Sequence, residues 1–132
     1  MIDIVTDGGA IASTPIAALI IAGRLPRPER IVMADTGRER SAVWRYLAEV
    51  TNPRLAAVGL AVEVVPPTYR RWDIAKGDVP PGDILMPVYT TSGKLPTFCS
   101  NEWKQRPVRR YLRERGYGPD NPIRLWFGMS LD

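Results

Sequence analysis

The chain has 132 residues, 45% of them hydrophobic and 24% charged, with a formal net charge of +4. That length and balance fit one globular domain spanning residues 1–132. There is no histidine and only one cysteine, which excludes histidine bases and ligands, argues against zinc and haem sites, and removes any internal disulfide.

Ile2-Asp-Ile-Val5 is a short apolar run that stops at Thr6-Asp-Gly-Gly, a buried strand entering a tight turn. Ser13 or Thr14 then caps a helix with Pro15 in its first turn, and the helix runs through Ile16–Ala22 to a stop at Gly23. Ile31–Ala34 is a second strand, closed by Asp35-Thr-Gly37. A helix follows from about Ser41, with Val43, Tyr46, Leu47 and Val50 at helical spacing, a break at Asn52-Pro53, then Leu55 and Val58. Gly59 ends it, and Leu60–Val65 alternates as a third strand. Strand–helix–strand–helix–strand predicts a right-handed parallel α/β sheet.

Residues 66–97 are rich in Pro, Gly, Tyr and Thr, with a possible strand at Ile84–Tyr89. A long irregular insert of this kind suits a loop lining a site. A basic helix is expected from about Ser100 to Arg115, a loop over 116–122, and a last strand at Leu125–Gly128.

Two turns favour anions. The glycine pair Gly8-Gly9 between the first strand and helix brings backbone N–H groups toward a phosphate, with Ser13 and Thr14 offering hydroxyls; an ordinary capped turn is the alternative. At the end of the second strand, Asp35, Thr36 and Gly37 stand where open parallel sheets take ligands, Asp35 serving a ligand, a cation or a turn cap. Cys99, the lone thiol, precedes the basic helix. There it is either activated as a nucleophile or sulfur carrier, or simply packed. Arg106, Arg109, Arg110 and Arg113, at spacings of three and four and with Lys104 nearby, make an arginine-lined side suited to a phosphate ligand or nucleic acid, or a solvated face. Tryptophans belong more often to the core than to stacking platforms; Trp72, beside Tyr69, is the one suited to stack on a base.

Three blocks in order carry a resemblance: Gly8-Gly-Ala-Ile-Ala-Ser-Thr14, Met33-Ala-Asp-Thr-Gly-Arg-Glu39, and Phe98-Cys-Ser-Asn-Glu-Trp-Lys-Gln-Arg-Pro-Val-Arg-Arg110. With the end from Leu125 to Asp132, they resemble the compact, often phage-encoded branch of the phosphoadenosine phosphosulfate (PAPS) reductase-like family. That family belongs to the adenine nucleotide alpha hydrolase, or PP-loop ATP pyrophosphatase, superfamily. The resemblance implies a three-layer α/β/α fold with a mostly parallel sheet of about five strands. It also implies ATP or a related adenine nucleotide over the first turn. The phosphates or sulfate would meet Gly8, Gly9, Ser13, Thr14, Thr36, Gly37, Lys104, Arg106, Arg109 and Arg110. Asp35 would lie near the ribose or a Mg²⁺ ion. Lys104, Arg106 and Cys99 are the candidates for chemistry.

The chain departs from the pattern at Ala10 and Ala12 and lacks the Glu-Cys-Gly-Leu-His-type cysteine segment of true PAPS reductases. Reduction of PAPS is therefore not expected. Two readings follow: a nucleotide-binding protein that cleaves the α–β bond of ATP and transfers a group, or a degenerate relative that binds nucleic acid or a host protein. The chain ends just past its last strand, where relatives continue with a helix, so a homodimer is a further expectation. The apolar run Ile16–Ala22 is too short to span a membrane. With no signal peptide, a cytoplasmic location is expected, that of the host cell if the protein is phage-encoded.

Overall fold

A computed structural model describes residues 1–6, 14–37, 39–66, 89–94 and 104–128. Four strands form one all-parallel sheet: β1 (Ile2–Thr6), β2 (Arg30–Ala34), β3 (Val62–Val65) and β6 (Ile123–Phe127), in the order β3-β2-β1-β6. The α/β class expected from the alternation is therefore present. Helix α1 (Thr14–Ile21) joins β1 to β2, and α2 (Ser41–Tyr46) and α3 (Asn52–Ala56) join β2 to β3. The last helix, α4 (Arg106–Arg113), leads into β6. Two-residue strands β4 (Tyr89–Thr90) and β5 (Gly93–Lys94) make a separate antiparallel hairpin. Of the strand expected at Ile84–Tyr89, only Tyr89 lies among the described residues, and it belongs to this hairpin rather than to the sheet.

Alternation along each strand sends side chains to two cores. One core gathers Val5, Ile31, Met33 and Val62 against Ala17 and Ile20 of α1 and Leu47, Leu55 and Leu60 from the second connection. The other gathers Ile4, Val32 and Val65 against Val108 and Leu112 of α4 and the following Tyr117. Helices thus cover both faces, and the strands read as apolar runs because both sides are buried.

The local stops have visible causes. Gly23 takes φ +68° just past α1, where its N–H reaches Ile20 O and the next N–H reaches Leu19 O, a left-handed C-terminal cap. Gly59 takes φ +71° after α3, and Arg27 donates to the carbonyls of Val58 and Gly59 at 2.9 Å each. The break expected at Asn52-Pro53 is instead a π-helical turn, Leu47–Thr51, with helical backbone on both sides. A proline ring collides with the carbonyl four residues back in a regular helix, and a widened turn relieves that collision. The Asn52 side chain then accepts the Val62 N–H at 2.9 Å, so the turn also fastens the helix to β3.

Polar contacts brace the strands. Asp3 on β1 accepts two bonds from its cross-strand partner Arg124, and a third from Trp126 Nε1 at 3.0 Å. The hydrogen bonds from Arg124 lead the causes that hold the Asp3 carboxyl below its ordinary range. On the other face, Arg30 donates to Glu63 at 2.7 Å and to Tyr117 Oη at 3.2 Å, while Tyr111 Oη donates to Glu63 at 2.6 Å. Arg30 is held protonated by its bonds to Tyr117 and Glu63. Burial first, then the bond to Glu63, raises the Tyr111 phenol above its ordinary value.

Leu112, 3% exposed, anchors α4, whereas Leu19 is 41% exposed on α1. Leu112→Ala is expected to cost about 2–4 kcal/mol in urea unfolding, and Leu19→Ala about 0.5 kcal/mol. Equal losses would mean that α4 is not docked as described. Tyr111→Phe removes a donor to a carboxylate and is expected to cost about 1–3 kcal/mol near neutral pH. Because the folded phenol titrates above the unfolded one, its contribution is complete below about pH 10 and is lost as pH rises through the folded value. The stability gap between wild type and Tyr111→Phe should therefore shrink on alkaline titration, and a gap that widens would contradict the assignment.

Candidate functional site

In a parallel sheet the ligand crevice opens where strand order reverses, beyond the carboxyl ends of the strands. Here the chain moves outward from β1 through β2 to β3, then returns to place β6 on the other side of β1. The reversal lies between β1 and β6. Thr6, the last residue of β1, donates its hydroxyl to Trp126 O at 3.0 Å and ties the two strands at that end.

The neighbouring strand end is ordered by Asp35. Its backbone N–H reaches Val65 O at 2.9 Å, joining the ends of β2 and β3. Its Oδ1 accepts the Gly37 N–H at 2.8 Å, and Gly37 takes φ +69°. An aspartate bonding the backbone two residues on is an Asx turn, and a left-handed glycine lets the chain leave the strand sharply. Thr36 between them is buried. The Asx bond engages one carboxylate oxygen and leaves the second for another partner.

Thr14 heads α1 and is half-buried. Gly8, Gly9, Ser13 and Cys99, with Trp72 and Tyr69, lie outside the described residues. The cationic candidates do lie within them. Helix α4 runs antiparallel to the strands: Tyr111 meets Glu63 on β3, and Tyr117 meets Arg30 at the start of β2. Lys104 and Arg106 therefore stand toward the carboxyl edge of the sheet, both exposed. Pro107, Val108 and Leu112 are the buried positions of the helix. Arg106, Arg109, Arg110 and Arg113 are all exposed, on the side turned away from the sheet. Arg110 pairs with Glu114 at 3.0 Å, with both side chains more than half exposed.

The structure thus brings Thr14, Asp35, Thr36 and Gly37 to the carboxyl edge and sets Arg109 and Arg110 on the outer face of α4. Two residues at the edge were not expected from sequence. Thr6 takes part through its bond to β6, and Phe127 ends β6 with 59% of its surface exposed. Their signal is strand order, which no local pattern carries.

Among the described residues no group of three or more Cys, Asp or Glu stands together as a metal cage. Mg²⁺ keeps several waters and often takes one or two carboxylates plus substrate phosphates. The single Asp35 carboxylate, with one oxygen outside the Asx bond, fits an ion that arrives with phosphates. Among the described residues no helix is long and apolar enough to cross a membrane. Comparison with protein-family models, curated proteins and solved structures finds no match.

The Asx turn makes a test of local order. Asp35→Ala is expected to lose about 1 kcal/mol of stability, while Asp35→Asn, which keeps the acceptor oxygen, stays within about 0.5 kcal/mol of wild type. Urea titration of both variants measures this, and equal behaviour would remove the turn's role.

Proposed function

We propose that the chain binds an adenine nucleotide, ATP or a sulfated relative, at the carboxyl edge of its parallel sheet. The observation that carries this reading is the Asp35-Thr36-Gly37 turn at the carboxyl end of β2, one strand from the reversal of strand order. Carboxyl-edge turns and a helix start are where a parallel sheet meets a phosphate-bearing ligand. The choice of adenine rests on the three sequence blocks that resemble the PAPS reductase-like family. The same reading adds a fifth strand and the three-layer arrangement of the adenine nucleotide alpha hydrolases to the four strands described.

In this reading the phosphates lie over the turn that contains Gly8 and Gly9, with the Ser13 and Thr14 hydroxyls donating to them. Lys104 and Arg106, at the entry to α4, balance the phosphate charge. Asp35 faces the ribose or a Mg²⁺ ion carried in by the phosphates. The ion would supply charge neutralisation. Positioning and electrostatic stabilisation make up most of the catalysis in phosphoryl chemistry.

Thermal shift and calorimetry against ATP, AMP, PAPS and adenosine phosphosulfate, with and without Mg²⁺, test the site. A ligand present at about a hundred times its Kd stabilises the fold by about 2.7 kcal/mol. Arg106→Glu should abolish that shift while keeping the far-UV circular dichroism of wild type. Pyrophosphate release in the same mixtures separates a protein that cleaves the nucleotide from one that holds it. A folded protein that none of the four ligands stabilises would overturn the proposal.

A further inference from the structure

The charge of the chain is concentrated in one place. Residues 104–115 carry six cations and one carboxylate, so they hold more than the whole net charge of +4, and the remaining residues together carry one net negative charge. Within that segment the fold sorts residues by face. Pro107, Val108 and Leu112 are buried, while Arg106, Arg109, Arg110 and Arg113 are exposed. Positions three, four and seven apart lie on one side of a helix. The arginines therefore form a single outward stripe.

We propose that this outer face of α4 binds the phosphodiester backbone of a nucleic acid. Charge complementarity is the first ground, since a basic stripe along one helix on an otherwise near-neutral chain is the electrostatic footprint of such a partner. Residue type is the second: all four cations are arginine, whose planar fork takes phosphate oxygens two at a time. Dimension is the third. From Arg106 to Arg113 the helix rises about 10 Å, and with the reach of the long side chains at either end this brings roughly three phosphates of one strand within contact. Glu114 holds Arg110 in an exposed pair, and such pairs are worth little, so a phosphate displaces the carboxylate readily. Arg115 is set apart from the stripe: its guanidinium stacks 3.3 Å above the Tyr111 ring. Phosphate contacts position a partner without reading bases, so the binding is independent of sequence. The surface shares only Arg106 with the nucleotide site at the sheet edge, and Arg109, Arg110 and Arg113 carry it whether or not that site holds a nucleotide.

Fluorescence anisotropy with a labelled oligothymidylate of about 20 nucleotides tests this on the full chain. The logarithm of affinity should fall against the logarithm of salt with a slope of about −2, the value for roughly three phosphates on a single strand, so binding weakens about twentyfold from 50 to 200 mM salt. The double variant Arg109→Gln with Arg113→Gln should bind about tenfold more weakly at low salt, with a slope near −0.7. Glu114→Gln should tighten binding by up to about fivefold, and this variant keeps a gain as the readout if the double variant folds poorly. No binding at about 50 mM salt, or affinities unchanged in all variants, would overturn the proposal. Displacement of the oligonucleotide by an oligoglutamate of equal charge at the same concentration as by unlabelled oligothymidylate would also overturn it, and would assign the face to an acidic protein.

Discussion

The reversal of strand order at β1 is the constraint on which the rest of the molecule depends. β1 bonds to β2 on one side and to β6 on the other, and both pairings are parallel. The chain must therefore leave β1 toward one side of the sheet and come back to the other. The first-half helices fill one face and α4 fills the opposite one. Ligands of open parallel sheets bind where connections diverge in this way, and the Thr6–Trp126 hydrogen bond lies at that point. The same crossing runs α4 back down the sheet, which sets its first residues toward the carboxyl edge and its last ones far from it. One topological fact thus fixes both the point of strand reversal and the orientation of the basic helix.

Features decided by near neighbours were legible in the sequence. Gly23, Gly37 and Gly59 stand at the stops they signal, with φ of +68°, +69° and +71°, because a left-handed residue is a local demand that glycine meets most cheaply. The alternation of strands and helices was legible for the same reason. What failed was governed by partners distant in sequence. The Asn52-Pro53 pair signals a break, yet a π turn and the Val62 N–H, ten residues on, keep the helix intact through it. The Arg30–Glu63 and Arg30–Tyr117 contacts span 33 and 87 residues, so no window of sequence contains them. β6 begins two residues earlier than its apolar run suggested, since Ile123 pairs with Ile2 across the sheet.

The site shows the same division. Asp35-Thr36-Gly37 was legible as a turn at a strand end because its Asx bond closes within three residues. The arginine spacing was legible as one side of a helix. Which way that side faces depends on where the apolar positions dock. Val108 and Leu112 define the docking stripe, and with Tyr111 they leave the arginines no direction but outward. Arg106, Arg109, Arg110 and Arg113 share that outward side, and Arg109 to Arg113 lie a turn or more further from the sheet edge than Lys104.

Apolar contact alone would leave the roll of α4 loosely set, because burial is not directional. The bond from Tyr111 to Glu63 is directional, and Glu63 is itself held by Arg30 from the next strand. Rolling the helix by one residue, about 100°, would break that bond and carry an arginine toward the apolar core. A bare guanidinium there would be strongly unfavourable, so the polar cluster excludes the alternative packing as well as favouring the observed one. Its charges are only partly exposed, with about a third of the side-chain surface open on Arg30 and on Glu63, which keeps the desolvation cost moderate. The cluster joins β2 and β3 to the inner side of α4 at Tyr111, and so holds the outer stripe toward solvent. The two proposed surfaces then meet only at Arg106, where α4 and its outer face begin.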